Sequence, residues 1–592
     1  MASMDDMPED IINHISSFLS YKQATKTSVL SKSWLNAWRA RPTVSLTLDY
    51  ENFSEELREE GGYRFWDTRT KDKRNRKFSK HVRRTLKNCT KEKMGIDEFM
   101  LVVRGIFMWD SLIKRCLQVA VKSGVKKFYL DLCGSYLPEI FFEAKSVVDV
   151  SLREVELVEQ SMENIRGFDH LKRLSLYMVQ LDNVTFEHMI SCCQSIEILE
   201  ITYCGGDLFS QYFDVPDLDN LWEFTVKLKR DQSLILHEAP NLESLFCSSH
   251  EDFIRYIDDW TPCWLDLRSS QYKNLKTLVL YAVGHCYKIL IQMEHRFPHL
   301  ENLTIQYCQD LKRIRIKSDS LKEIRLADNW GLNKAQFDTP SIVRFVFADN
   351  ECKIIPVLSF IAASGHWTSD ISISWVGNLD TSWFFKLQRL LASLVQSKIS
   401  VSLEVGGTMS FDFNEIRDNL TYHGPQEVHE LTLNIHRESL LSSPVPVLDV
   451  LFQICRPKTI RQHWSDILGK NIETLKLLYD GLMLRKNQEQ SHNLQQLKFW
   501  QNNLKGLKVE IFKSRLVWEG DSRKYYAGKQ SEQQLEALDW ENFLKVVNTH
   551  SNALIHFGLE WKASVEPEGT KRKATDKPRE EKSSKRSNSK VV

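Results

Sequence analysis

The sequence predicts an α/β chain: a small all-α unit at the N-terminus, then a long irregular solenoid of short parallel strands joined by helices or turns. Three observations predict it. The first forty residues carry apolar side chains at helical spacing. A unit of the form apolar-x-x-apolar-x-apolar then recurs along most of the chain, at 125–132, 147–152, 171–176, 196–201, 242–247, 275–280, 300–305, 311–316, 321–326, 428–433, 472–477 and 494–499. Two of the intervals, Leu171 to Ile196 and Leu275 to Leu300, are 25 residues, within the span of repeats that stack a strand and a helix. One such unit cannot bury its own apolar face, so neighbours must stack on it.

The elements follow in order. Pro8 suits the first position of a helix, where its missing N–H costs nothing. Behind it Ile11, Ile12, Ile15, Phe18 and Leu19 form one helical stripe; Leu30, Trp34, Leu35 and Trp38 form another, which Pro42 ends. So few residues make a marginal core, so either the rest of the chain or a partner must cover these stripes. Residues 44–48 alternate as a strand, 51–76 read as a polar surface loop, and Phe78, Val82, Leu86 and Cys89 mark a helix whose opposite face holds Lys80, Arg83, Arg84 and Lys87. That basic face reads as solvated: no aromatic side chains interleave with it and it matches no nucleic-acid motif.

Within the solenoid, returning helices are expected over 185–191 and 289–296. Between Leu300 and Leu326 three units lie only ten or eleven residues apart, so turns should replace the helices there. The repeat phase is hard to follow from 350 to 422, where a helix over 382–396 precedes a strand over 399–405. A closing strand over 504–512 and a capping helix over 532–549, burying Leu535, Leu538, Trp540, Phe543, Leu544 and Val547, would shield the last apolar face. The expected divisions are 1–42, the helical unit; 43–94, a linker with an amphipathic helix; 95–350, the solenoid; 351–425, a degenerate repeat or insertion; 426–562, further repeats and cap; and 563–592, a disordered basic tail.

Met7-Pro8, Ile11-Ile12, Ile15, Phe18-Leu19, Lys22, Ala24, the run Thr27-Ser-Val-Leu-Ser-Lys32, Trp34 and Trp38 together resemble the F-box of plant F-box/leucine-rich-repeat proteins of the FBD-like kind. Met7 stands where that family usually has Leu, and Ser20 where many relatives have Pro. The phrase from Leu171 to Cys204 is similar to the irregular leucine-rich repeats of the same family, over roughly 95–510. The resemblance implies a substrate-recognition adaptor of a Skp–cullin–F-box ubiquitin ligase. Met7, Pro8, Ile11, Ile12, Ile15, Phe18, Leu19, Lys22, Val29, Leu30, Trp34 and Trp38 would bind the Skp-type adaptor, and through it the cullin-RING ligase. The solenoid would hold an unknown target protein. The alternative is a scaffold outside any ligase, or a nucleic-acid-associated protein, in which the N-terminal helices are only a structural cap.

The residues offer no catalytic set: no G-x-S-x-G, Walker-type loop, H-E-x-x-H or G-x-G-x-x-G occurs. No enzyme activity, cofactor or metal is expected. Pro298 spoils a metal face between His295 and His299, and Cys192-Cys193 read as buried thiols, since sequence neighbours are badly placed to bridge. Twelve scattered cysteines without a CxxC pair read as reduced thiols, and the longest apolar run, 354–363, is too short to span a membrane. The chain is therefore expected in the nucleus or cytoplasm, neither secreted nor membrane-bound. The net charge of +1 hides +9 between Lys71 and Lys93 and +6 from Lys571 onward. Lys571, Arg572, Lys573, Lys585 and Arg586 are a candidate two-cluster nuclear-localisation signal. A membrane partner is not expected, nor a nucleic-acid one.

Overall fold

The computed structural model describes residues 7–562 apart from 20, 41–42, 62–67, 104–109, 158–167, 207–211, 250–261, 353, 362–365, 376, 409, 413–414, 417–423, 437–446, 466–471, 484–499, 501–502, 520–521, 532–538 and 549–551. The unit at 494–499 and the cluster Lys571–Arg586 therefore lie outside the described residues, as does the expected tail.

Three short helices open the fold: α1 (Glu9–Phe18), α2 (Tyr21–Thr27) and α3 (Lys32–Ala40). Pro8 sits one residue ahead of the position expected for it. It is the N-cap of α1, and its carbonyl accepts the first helical bond, from Ile12 N at 3.1 Å. Ile12, Trp34 and Ala37 make a small core against which Met7, Ile15 and Leu19 pack. Tyr21 and Trp38 turn the other way and join the main core of the chain.

The strand β1 (Thr43–Asp49) pairs in parallel with β2 (Gly95–Val102), so the sheet begins directly after the three helices, ahead of residue 95. Between them run α4 (Tyr50–Gly61) and α5 (Thr68–Lys91), in place of the surface loop expected over much of 51–76. Phe78, Val82, Leu86 and Cys89 are each at most 1% exposed and fix α5 on the core. Next comes α6 (Asp110–Lys122), and the sheet then continues as a ladder of parallel strands. Their register is uniform: Leu174, Leu199, Phe224, Leu245, Leu278, Leu303, Ile324 and Phe345 are successive partners, all facing inward. This α/β leucine-rich solenoid is the predicted architecture.

A backbone device repeats with the ladder. The residue after each of several strands, Met178, Tyr203, Ala282, Tyr307 and Asp328, has φ between 51° and 59°. A left-handed non-glycine residue costs about 1–2 kcal/mol. Here each one aims its N–H at a carbonyl in the last two residues of the next strand, those of Thr202, Lys227, Gln306, Ala327 and Ala348, at 2.7–3.1 Å. The ladder bond offsets the strain and bends the chain out of the sheet at the same place in every turn. Just beyond, Asn329 accepts from Cys308 N and donates to the Ile305 carbonyl, and the Cys204 and Cys308 thiols reach the carbonyls of Leu176 and Leu280.

Two smaller sheets cover the far side of the core, and the sequence reading missed most of their strands. One contains Tyr212–Val215, Ser233–Leu236, Cys263–Leu267 and Val283–Gly284; the other contains Arg313–Lys317, Lys334–Asp338 and Val357–Phe360. The crowded units between 300 and 326 are thereby corrected. Asn302–Gln306 pairs directly with Glu323–Ala327 in the main sheet, while Arg313–Lys317 belongs to the back sheet. Strands, not bare turns, replace the helices, because an alternating Ile314/Ile316 pair buries as well against the core from behind as from in front. From 350 onward the main sheet continues without a break through Trp367–Trp375, helix Thr381–Ala392 and Ser397–Val405.

The unit at 472–477, expected as a strand, is a helix, Ile472–Met483. Its buried residues Leu475, Leu478, Tyr479 and Leu482 continue at helical spacing past the short motif, which by itself fits either period. The Thr474 hydroxyl both accepts from Ile435 N and donates to the Ile435 carbonyl, pinning this helix to the end of strand Gln426–Ile435.

Closure differs from a simple helical cap. Strand Asn552–Trp561 inserts antiparallel between Cys455–Ser465 and Leu504–Glu519, and helix Trp540–Asn548 buries Phe543 and Val547. His556 sits in that strand between Arg461 and Glu510, its ring 4.6 Å from Phe512. Burial, with Arg461 adding, holds His556 down at about 4, and burial also lowers His463. The folded state thus favours neutral imidazole. The stability it contributes is complete above the ordinary 6.5 and is lost progressively as pH falls toward 4. Hydrogen exchange at amides 553–559 should accelerate over that window, and His556→Gln should flatten the dependence.

Candidate docking surfaces

Backbone capping shapes the N-terminal face. The Thr27 hydroxyl donates to the Ala24 carbonyl and the Ser28 hydroxyl to the Thr25 carbonyl, closing α2. Leu30 N then reaches the Thr27 carbonyl, and the Ser31 hydroxyl accepts from Trp34 N as the cap of α3. The hydroxyls of the Thr-Ser-Val-Leu-Ser run thus turn the chain, and Val29 and Leu30 are left at the outside of the bend. They are 83% and 50% exposed; Phe18 and Ile11, on α1, are 76% and 45% exposed. Four large apolar side chains on one small unit face water. Exposed patches of this kind mark interaction surfaces.

The twelve residues singled out by sequence divide accordingly. Pro8, Ile11, Phe18, Lys22, Val29 and Leu30 are exposed. Met7, Ile15 and Leu19 are half-buried on the small core. Ile12 and Trp34, at 0% and 4% exposed, are inside that core and fold the unit without offering a surface. Trp38 packs toward the solenoid, its ring 6.4 Å from that of Tyr21. Helical spacing could not separate these groups, because neighbouring stripes on an eighteen-residue scale look alike until the packing direction is known.

The unit is held to the solenoid rather than tethered. Tyr21 is buried beside Cys89 of α5, and its burial, with the neighbouring thiol, pushes the phenol up. Arg39 and Glu92 approach to 4.0 Å.

The outer face of the strands forms the second surface. Charges near the start of adjacent strands, or one residue before it, pair in rungs: Lys127 with Glu98, Lys172 with Glu197, Lys276 with Glu243 and Lys322 with Glu301, at 2.7–2.9 Å. Such exposed pairs contribute little stability each, but they leave this rim nearly neutral. Near the N-terminal end a cavity of about 340 Å³ is lined by Thr47, Met100, Tyr129, Ser151, Ser175 and Glu200, among others. Asp149, in the same wall, is raised by burial against the opposing pull of Arg173 and Lys127. Farther along, the middle row is uncharged across four strands, Thr225, Phe246, Val279 and Thr304, with the Lys227 ammonium 5.7 Å from the Phe246 ring. Arg313 and Arg315 lie in the back sheet and Arg325 in the main sheet, so these three arginines do not share one face.

Among the described residues no three His, Cys, Asp or Glu side chains converge as a metal would require, and no helix is long and apolar enough to cross a membrane. Cys193 is buried and Cys192 half-exposed, both as free thiols.

The F-box domain family matches residues 4–44, and the family of leucine-rich repeats of FBD-associated F-box protein At5g56370 matches 113–255. Among relatives from Arabidopsis thaliana, the F-box/FBD/LRR-repeat protein At5g56420 is 26% identical over 356 residues, 55% of this chain and 78% of the relative. The putative F-box/LRR-repeat proteins At3g58920 and At5g02930 are 26% and 25% identical, each over 34% of this chain. The chain spans 42% and 38% of those two relatives' lengths.

Proposed function

Starting from a chain that carries an F-box and FBD-associated leucine-rich repeats, we propose that it is a non-catalytic substrate-recognition subunit of a Skp–cullin–F-box ubiquitin ligase. The observation that carries this reading is the exposure of Ile11, Phe18, Val29 and Leu30, four large apolar side chains on a unit that Tyr21 and Trp38 fix to the solenoid. The F-box face takes the Skp-type adaptor, and the solenoid takes a target protein on the outer face of its strands. The work done is proximity: target lysines are held near the ubiquitin-loaded enzyme, and the chain contributes no reactive group. Nucleus and cytoplasm are both compatible sites of action.

Co-expression with a plant Skp-type adaptor tests this reading. A stoichiometric complex that co-purifies and brings a cullin with it is the expected result. A monomeric chain under the same conditions would instead favour a scaffold outside any ligase.

A further inference from the structure

We infer that the groove between α5 and α6 is a docking site for a segment of another protein in which acidic side chains alternate with apolar ones. Lys87, Lys91 and Arg115 rim a cavity of about 290 Å³ whose floor is Leu86 and Val119, with Thr90 between the cations. The three cations are exposed and Leu86 is buried. On α5 the cations Lys80, Arg84, Lys87 and Lys91 are spaced by four, three and four residues, one stripe of a helix. At 1.5 Å per residue that stripe is about 17 Å long. On α6, Lys114 precedes Arg115 and is likewise exposed.

Pairing sets this face apart. Along the rim where adjacent strands begin, lysines and glutamates meet in rungs at 2.7–2.9 Å. Among the described residues, none of Lys80, Arg83, Arg84, Lys87, Lys91, Lys114 and Arg115 has an acidic group within 4 Å. The two helices carry one acid each, Asp72 and Asp110. Seven cations so close together repel one another, and an anionic partner relieves that cost.

The floor decides which anion. Val119, half-buried over the buried Leu86, offers apolar contact between the cations, and no aromatic ring lines the groove on which a base would stack. A peptide with leucines set between glutamates meets both features; a phosphate backbone meets only the charge. This docking is independent of the F-box face, which lies on other residues.

The test uses the full-length chain and a fluorescein-labelled octapeptide of six glutamates and two leucines, Glu-Glu-Leu-Glu-Glu-Leu-Glu-Glu. Fluorescence anisotropy is read at about 0.1 M salt, where screening acts over ~10 Å. Saturable binding is expected, weakened at least tenfold by Lys87→Glu/Lys91→Glu/Arg115→Glu. It should be unchanged by Lys145→Glu/Lys273→Glu/Lys312→Glu, an equal change of charge at exposed sites elsewhere. Replacing the two leucines of the peptide by serine should also weaken it. No binding, equal loss in both variants, or tighter binding of a single-stranded oligonucleotide of the same charge would overturn the assignment, the last in favour of nucleic acid.

Discussion

Replacing Phe18 and Leu30 together by aspartate is expected to weaken binding of a Skp-type adaptor more than about a hundredfold while leaving unfolding of the chain unchanged. Both side chains are at least half exposed, so the free protein loses little packing. In a complex each would bury apolar surface equivalent to about 1.5–3 kcal/mol, and an unpaired carboxylate in its place adds a desolvation cost of several kcal/mol. A factor of one hundred requires only about 2.7 kcal/mol. Trp34→Ala serves as the contrast. At 4% exposure it removes most of the small core with Ile12 and Ala37, at a cost of about 3–5 kcal/mol. Binding should then fail because the three helices unfold. Isothermal calorimetry paired with hydrogen exchange over 9–40 distinguishes the two: the surface variant keeps its protection, and the core variant loses it. A set that includes Ile15→Asp or Leu19→Asp confounds them, since both residues pack on that core.

Trp367→Ala is expected to destabilise the solenoid by about 3–5 kcal/mol. Its indole is 1% exposed and 4.7 Å from Phe360, which in turn lies 4.8 Å from Phe337 and 5.2 Å from Phe345. Phe345 and Trp367 belong to the main sheet, Phe337 and Phe360 to the three-stranded back sheet. This aromatic cluster is therefore the mortar between the layers where the helices of the solenoid have given way to strands. Trp367→Phe should cost clearly less than Trp367→Ala, because it keeps a ring in place and removes an indole N–H that has no hydrogen-bond partner among the described residues. Urea unfolding gives the two values. Hydrogen exchange should show the loss centred on strands 334–338 and 357–360, since a solenoid transmits instability mainly to its nearest neighbours.

Much of this could be read from residue spacing. The inward leucines of 171–176, 196–201, 275–280 and 300–305 fall in strands that start two residues after the motif begins, because the first apolar residue closes the preceding turn. The helix packed on Phe78, Val82, Leu86 and Cys89 was equally plain. The back sheets were not. Strands of four or five residues such as Ser233–Leu236 and Lys334–Asp338 carry only two inward side chains each, too few for a period to stand out. The helix at Ile472–Met483 was hidden for a related reason, since six residues do not distinguish a period of 2 from one of 3.6.

By itself, then, the sequence determined the two-part architecture, the repeat and its inward side chains, and which forty residues carry the F-box. These follow from local periodicity and from hydroxyls that cap within three or four residues. Tertiary structure alone decided which of those apolar residues face water, which sheet each short strand joins, and that Lys87, Lys91 and Arg115 rim one groove. Those are questions of which stripe meets which neighbour, and burial is a property of pairs of elements rather than of any one of them.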